Sequence, residues 1–254
     1  MADYMVNGLD VFAEKFRDCL DSFIIVGGTA CSLAMNEAGI GFRATNDIDM
    51  IIIAENMSSN FGRTFWDFIR EGGYNSWKFN DTTHFFRFDN PSDSHYPKMI
   101  ELFSRKQNFI PNDMVGKYTP LFISDEISSL SAILLDDTYY HFLKTGSEMV
   151  NNLPILKPIY LIAFKAKAHV DLTKKHSEGM HINERDLKKH KNDIFRLVQL
   201  LNQNETIEVG DSVKVDMQNF FDLIDNDSIN MKALKLNYSK ETAIKMIKHA
   251  FRMD

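Results

Sequence analysis

A four-residue apolar run, Phe23-Ile24-Ile25-Val26, stopped by Gly27-Gly28, constrains this chain more than any other feature. The run is long enough for a buried strand and too short for a helix, and two consecutive glycines permit a sharp change of direction. Helical periodicity resumes from Thr29 to Ala38, so the segment predicts strand, tight turn, helix. Upstream, Val11, Phe12, Phe16 and Leu20 fall at helical spacing within Leu9 to Leu20. Downstream, Asp47 to Ala54 is rich in β-formers, and Ser58 to Glu71 predicts a helix with Phe61, Phe65, Phe68 and Ile69 inward. The first half therefore alternates strands and helices.

Aromatic-rich pieces at Ser76 to Asn80, Thr83 to Phe88 and Met99 to Phe103 are separated by Asn, Asp, Pro and Ser, the pattern of a meander. Tyr118 to Ile123 and Ser131 to Leu135 are read as edge strands or caps. After Pro158 the pattern changes to long helical stretches, Ile159 to Leu172, Glu184 to Leu201 and Ser239 to Phe251, with Ser239 a natural N-cap. The expected class is α+β: an N-terminal mixed, mostly antiparallel sheet flanked by helices over residues 1–150, then a helical domain over 151–254 that closes a cleft. The junction is placed between Thr145 and Pro158, where Gly, Asn and Pro interrupt the periodicity.

Composition narrows function mainly by exclusion. The 254 residues are 44% hydrophobic and 25% charged, ordinary for a folded globular protein. A net charge of -6 argues against a broad basic surface that tracks phosphates, although it leaves room for a local basic patch. Met1 to Asp10 carries acidic residues and no long apolar stretch, and no later run reaches spanning length, so no membrane association and a cytoplasmic location are expected. Cys19 and Cys31 lack the spacing of a zinc site or a disulfide framework and are read as small core hydrophobes.

The chemistry centres on Asp47 and Asp49. Residues two apart on a strand point to the same face, so these carboxylates project together, roughly 6 to 7 Å apart along the chain. Ile51 and Ile53 continue that face. Two like charges opening an apolar face repel and resist desolvation, a cost that a bound divalent cation removes. The alternative is a strand that begins at Ile48 and leaves both aspartates on a solvated turn. Upstream, the turn at Val26-Gly27-Gly28-Thr29 opens a helix, where free backbone N–H groups and the Thr29 hydroxyl suit phosphate oxygens. A Gly-Gly pair alone is weak evidence, because any sharp strand-to-helix turn uses it, and no Walker or dinucleotide motif is present.

Gly27-Gly28-Thr29, then Arg43-Ala44-Thr45-Asn46-Asp47-Ile48-Asp49, then a separate carboxylate strand, together resemble the nucleotidyltransferases of the DNA polymerase beta-like superfamily. Within it, the motif order and helical second half look most like the bacterial abortive-infection (AbiEii-type) nucleotidyltransferases, over residues 20 to 200. The interval from Gly28 to Asp47 is longer than the minimal superfamily motif, consistent with a longer helix and loop between them. The resemblance implies a third metal carboxylate on a later strand, matched by Glu101 in Lys98-Met99-Ile100-Glu101-Leu102-Phe103, which otherwise is an exposed residue on a half-solvated strand. Asp47, Asp49 and Glu101 would then gather one or two Mg2+ ions and act in transfer of a nucleoside monophosphate from NTP to an acceptor hydroxyl.

Nucleotide contacts implied by the resemblance are Gly27, Gly28, Thr29, Arg43 and Thr45 near the metal, with Lys165 and Asp193 from the helical half. Each has an ordinary alternative. Arg43 could pair with an acidic neighbour, Lys165 could bury its stem and extend its amine to solvent, and Asp193, like Asp186, could lie on a solvated helix flank. His169, His176, His181 and His190 lack a His-x-x-x-His pair and are read as ordinary histidines. Asp136-Asp137 with Tyr139-Tyr140 marks a helix start. The acceptor, whether tRNA, protein or small molecule, is not specified, and the family implies a toxin–antitoxin or phage-defence component with an antitoxin protein as partner. The competing class is a catalytically silent relative that binds nucleotide or a partner, and a third is a hydrolase on the same metal scaffold.

Overall fold

The computed structural model describes residues 6–53, 55–56, 59–78, 85–104, 119–120 and 136–253. Helix α1 (Leu9–Phe16) leads into strand β1 (Phe23–Val26), which turns at once into α2 (Gly27–Glu37). Strand β2 (Asp47–Ile52), helix α3 (Ser59–Gly72) and strands β3 (Asn75–Lys78), β4 (Phe85–Asp89), β5 (Met99–Phe103) and β6 (Thr119–Pro120) follow. Helix α4 (Asp137–Thr145) is then succeeded by a hairpin, β7 (Ser147–Val150) and β8 (Leu153–Leu156). The remainder is helical: α5 (Pro158–Ser177), α6 (Glu184–Leu197) extended by a 3-10 turn at Val198–Leu200, α7 (Asp211–Ile224) and α8 (Lys240–Ala250). Among the described residues no helix is long and apolar enough to cross a membrane.

The class is α+β with a mixed sheet flanked by helices. Among the described residues, eight strands run in the order β6-β3-β4-β5-β2-β1-β8-β7. Strand β2 is central, antiparallel to β1 and parallel to β5. Strand β4 is antiparallel to both β5 and β3, whereas β8 joins β1 in parallel.

Because cross-strand partners share a face, the register sorts the side chains. Phe23, Ile25, Met50, Ile52, Ile100, Leu102, Phe86 and Phe88 fall on one side. There Phe23 meets Phe12 and Phe16 of α1 edge-on, and Phe88 meets Phe65 of α3 with ring centroids 5.3 Å apart. Each such aromatic contact adds about 0.5–1.5 kcal/mol beyond area burial, so this face is the core of the sheet unit. The opposite face carries Val26, Asp47, Asp49, Glu101 and Arg87. Cys19 and Cys31 are both buried, as expected of small core residues.

Two compact units result: Met1–Ser124 with Ser147–Leu156, and Asp125–Gly146 with Lys157–Asp254. The division is thus not a single cut at residue 150. The chain passes into the helical unit before α4, returns to the sheet for β7 and β8, and leaves again at Lys157. The stretch read as a junction is this hairpin, whose two-residue loop places Asn151 and Asn152 at φ 49 and 61. Left-handed Asn pairs are what a type I′ turn requires, and Pro154 inside β8 disguises the strand. Helix α7 is a second element absent from the sequence reading, although Val213, Met217, Phe220 and Ile224 line its buried side. Helix α1 is shorter than expected, ending at Phe16. The expected strand at Ser131 to Leu135, and most of that at Tyr118 to Ile123, lie outside the described residues.

Candidate functional site at the glycine turn

Strand β2 begins at Asp47, not at Ile48, so both aspartates belong to the strand and not to a solvated turn. Ile48 and every residue from Met50 to Ile53 are buried, which leaves Asp47 and Asp49 as the accessible positions on the strand. This follows from a strand sandwiched on both faces except where it emerges at one end.

Asp49 lies opposite Val26 on one side and Glu101 on the other. The next residue after Val26 is Gly27, held at φ 66, where a β-carbon would stand 1.7 Å from Asp49 Oδ2. Gly27 is therefore required twice: for its left-handed backbone, and because the carboxylate of Asp49 occupies the space a side chain would take. Gly28 is closed in the same way, since its β-carbon would lie 2.7 Å from Thr45 Oγ1 and 3.5 Å from Arg43 Nη2. The turn, the two aspartates and the Arg43–Thr45 segment are thus packed as one assembly.

Asp47 is oriented from the preceding loop. Its Oδ1 accepts hydrogen bonds from the Thr45 hydroxyl at 2.8 Å and the Asn46 backbone N–H at 3.1 Å. Thr45 is buried, so it acts by fixing Asp47. Thr29 is fully buried and its hydroxyl donates to the Asp47 carbonyl, tying the first turn of α2 to β2. That bond uses its proton for scaffolding, in place of the phosphate contact expected from sequence. Arg43 lies across the Phe42 ring, 5.3 Å from its centroid, beside Gly28.

Glu101 is buried on β5, not exposed on a half-solvated strand. Arg87 of β4 donates to its Oε1 through Nε, at 2.9 Å, and through Nη2. Burial pushes the Glu101 carboxyl above its ordinary range, opposed by the Arg87 charge and a hydrogen bond with Asp49, and reinforced by the negative charge of Asp47. Arg87 was not among the sequence candidates. Its signal was the pattern Phe85-Phe86-Arg87-Phe88-Asp89, a lone cation on an aromatic strand, but its partner depends on a register that sequence does not carry.

Lys165 and Asp193 are brought together, though within the helical unit and buried. Lys165 Nζ lies 2.9 Å from Asp193 Oδ2, with side-chain exposures of 5% and 0%, and Arg196 also approaches Asp193. The pair bridges α5 and α6, so the Lys165 amine does not reach solvent and Asp193 does not lie on an exposed flank, and each residue's partner explains the other's burial. Asp186 lies in the first turn of α6, where a carboxylate suits the helix dipole.

The accessible acidic groups beside the glycine turn offer carboxylate oxygens, the kind preferred by hard cations such as Mg2+. Among the described residues, no three His, Cys, Asp or Glu side chains are gathered as a ready metal cluster. Asp47 and Asp49 fit such an ion by chemistry and accessibility, and Glu101 fits by its place beside Asp49, with its carboxylate engaged by Arg87. No family model, curated protein or solved structure matches this chain.

Proposed function

We propose that this chain is a Mg2+-dependent nucleotidyltransferase of the DNA polymerase beta-like kind, transferring NMP from NTP to an acceptor hydroxyl. The observation that carries this reading is the seating of Asp49 Oδ2 in the space left by the missing Gly27 side chain. It couples a turn suited to phosphate with a carboxylate suited to a cation, and either feature alone would be commonplace.

Backbone N–H groups opening α2 would bind triphosphate oxygens, with Arg43 beside Gly28 supplying positive charge. Asp47, held by Thr45 and Asn46, and Asp49, with Glu101 beside it, would be the metal ligands. A bound Mg2+ supplies charge neutralisation on the phosphates and acidification of the acceptor hydroxyl. In the reaction the acceptor oxygen bonds to the α-phosphorus, the bond to the bridging oxygen of the β-phosphate breaks, and pyrophosphate departs while the hydroxyl proton passes to solvent or a carboxylate. Because Lys165 and Asp193 are satisfied by each other, the mechanism does not draw on them. The motif order resembles that of the AbiEii-type enzymes, and on this reading the chain would be a toxin–antitoxin or defence component acting on tRNA, protein or a small molecule.

A second reading, a silent nucleotide-binding module, draws its support from the Arg87–Glu101 ion pair, which already neutralises the third carboxylate. One assay separates the two. With α-labelled NTPs, Mg2+ and cell extract, an enzyme labels an acceptor and loses this in Asp49→Asn. Identical behaviour of wild type and variant with all four NTPs removes the catalytic reading, and release of labelled nucleotide without an adduct indicates hydrolysis.

A further inference from the structure

Three charged side chains cross the sheet in a row. The parallel register sets Asp49 beside Glu101, and the antiparallel register sets Glu101 beside Arg87. From this we infer that Arg87 is a positioning residue that holds Glu101 in place beside Asp49 as a metal ligand. The inference rests on the metal-dependent reading of the site and adds a residue that this reading does not require.

Two carboxylates directly opposite each other on neighbouring strands repel. Glu101 has little solvent to turn toward, with its side chain only 11% exposed. The guanidinium anchors the carboxylate from the far side: Nε and Nη2 both donate to Oε1, which holds that oxygen on the β4 side as well as balancing its charge. Lysine could supply the charge through a single amine but not the planar fork. The strand is built to present this one cation, since Phe86 and Phe88 point into the aromatic core and Arg87 alone between them faces Glu101.

Arg87 also places a positive charge near the proposed cation, and that opposes binding. The ion pair with Glu101 largely cancels this repulsion, whereas loss of a residue that orients a metal ligand costs about 10- to 100-fold in affinity. Orientation therefore wins, and removal of Arg87 weakens metal binding.

The test is Mn2+ binding to the full chain, followed through the electron paramagnetic resonance signal of the free ion. Wild type is compared with Arg87→Met, Arg87→Lys, Glu101→Gln and the double variant Arg87→Met/Glu101→Gln, each checked for folding by its melting transition. Arg87→Met is expected to lower affinity about tenfold or more, with Arg87→Lys intermediate. In the Glu101→Gln background Arg87→Met should bring no further loss of affinity, because Arg87 positions a ligand only through that carboxylate and its own charge, no longer balanced, opposes the cation. Wild-type affinity in Arg87→Met, or additive losses in the double variant, overturns the positioning role while leaving the metal site standing. Should Arg87→Met fail to fold, wild-type affinity in Arg87→Lys overturns it equally. If wild type binds no Mn2+ at millimolar concentration, the metal-dependent reading falls and this inference falls with it.

Discussion

Gly27→Ala is the sharpest perturbation the site offers, because the structure specifies two separable costs. The first is conformational: at φ 66 an alanine adopts a left-handed backbone, which costs about 1–2 kcal/mol. The second is steric and local to the chemistry. The new β-carbon would stand 1.7 Å from Asp49 Oδ2, whereas real contacts essentially never fall below 3.0 Å, so the carboxylate must move by about 1 Å or more. A misplacement of that size at a reacting centre costs about 100-fold. Gly39 provides the control, since it has φ 70 and nothing within 4 Å of its would-be β-carbon. Gly39→Ala should carry the backbone cost alone. Thermal melting, Mn2+ affinity and nucleotide transfer are measured on both variants. Both should melt a few degrees lower, at about 2–4 °C per kcal/mol for a chain of this size. Gly27→Ala alone should lose transfer by about 100-fold, with a parallel loss in Mn2+ affinity. If Gly27→Ala behaves like Gly39→Ala in all three assays, Asp49 is not a constrained functional carboxylate and the reasoning that joins the turn to the metal site is refuted.

Other expectations concern the helical unit. Burial, with Lys191 adding repulsion against a weaker opposing bond to the Leu187 carbonyl, pushes the His169 pKa down to about 4. The unfolded chain, with His near 6.5, then binds the extra proton first, so the stability contributed by neutral His169 is complete above pH 6.5. It is lost as pH falls toward 4, by about 3 kcal/mol in all. Urea midpoints measured between pH 7 and pH 4.5 should fall in wild type and fall less steeply in His169→Gln; parallel slopes would contradict this. Breaking the buried pair with Lys165→Met should destabilise, by less than the ~3–5 kcal/mol of a buried charge left with no partner, since Asp193 stays buried but keeps Arg196. Equilibrium denaturation tests this, and a variant of wild-type stability with weakened nucleotide binding would restore Lys165 to the nucleotide site.

Much of the sheet unit was legible because its signals are local. The apolar run Phe23 to Val26 and the strand Met99 to Phe103 appear with the expected boundaries, and Ser239 caps α8 through a hydrogen bond from the Thr242 backbone N–H. Elements with conflicting signals were missed. The β7–β8 hairpin hides behind Pro154 and two asparagines, and it is stabilised by pairing with β1, which lies far away in sequence. Expectations for Thr29, Lys165 and Asp193 differ from the structure for one shared reason. A polar residue's type states what it can bond, and burial decides what it does bond. Thr29 bonds a backbone carbonyl, and the other two bond each other.

What the sequence determined by itself is parity and punctuation: Asp47 and Asp49 share a face because strand side chains alternate, and Gly27-Gly28 permits a turn that other residues resist. Only the tertiary structure decided that the turn and the aspartates touch, that Glu101 stands next to Asp49, and that Arg87 holds Glu101. Those facts depend on strand order and register, which arise from burial of two faces at once and from pairings between residues distant along the chain.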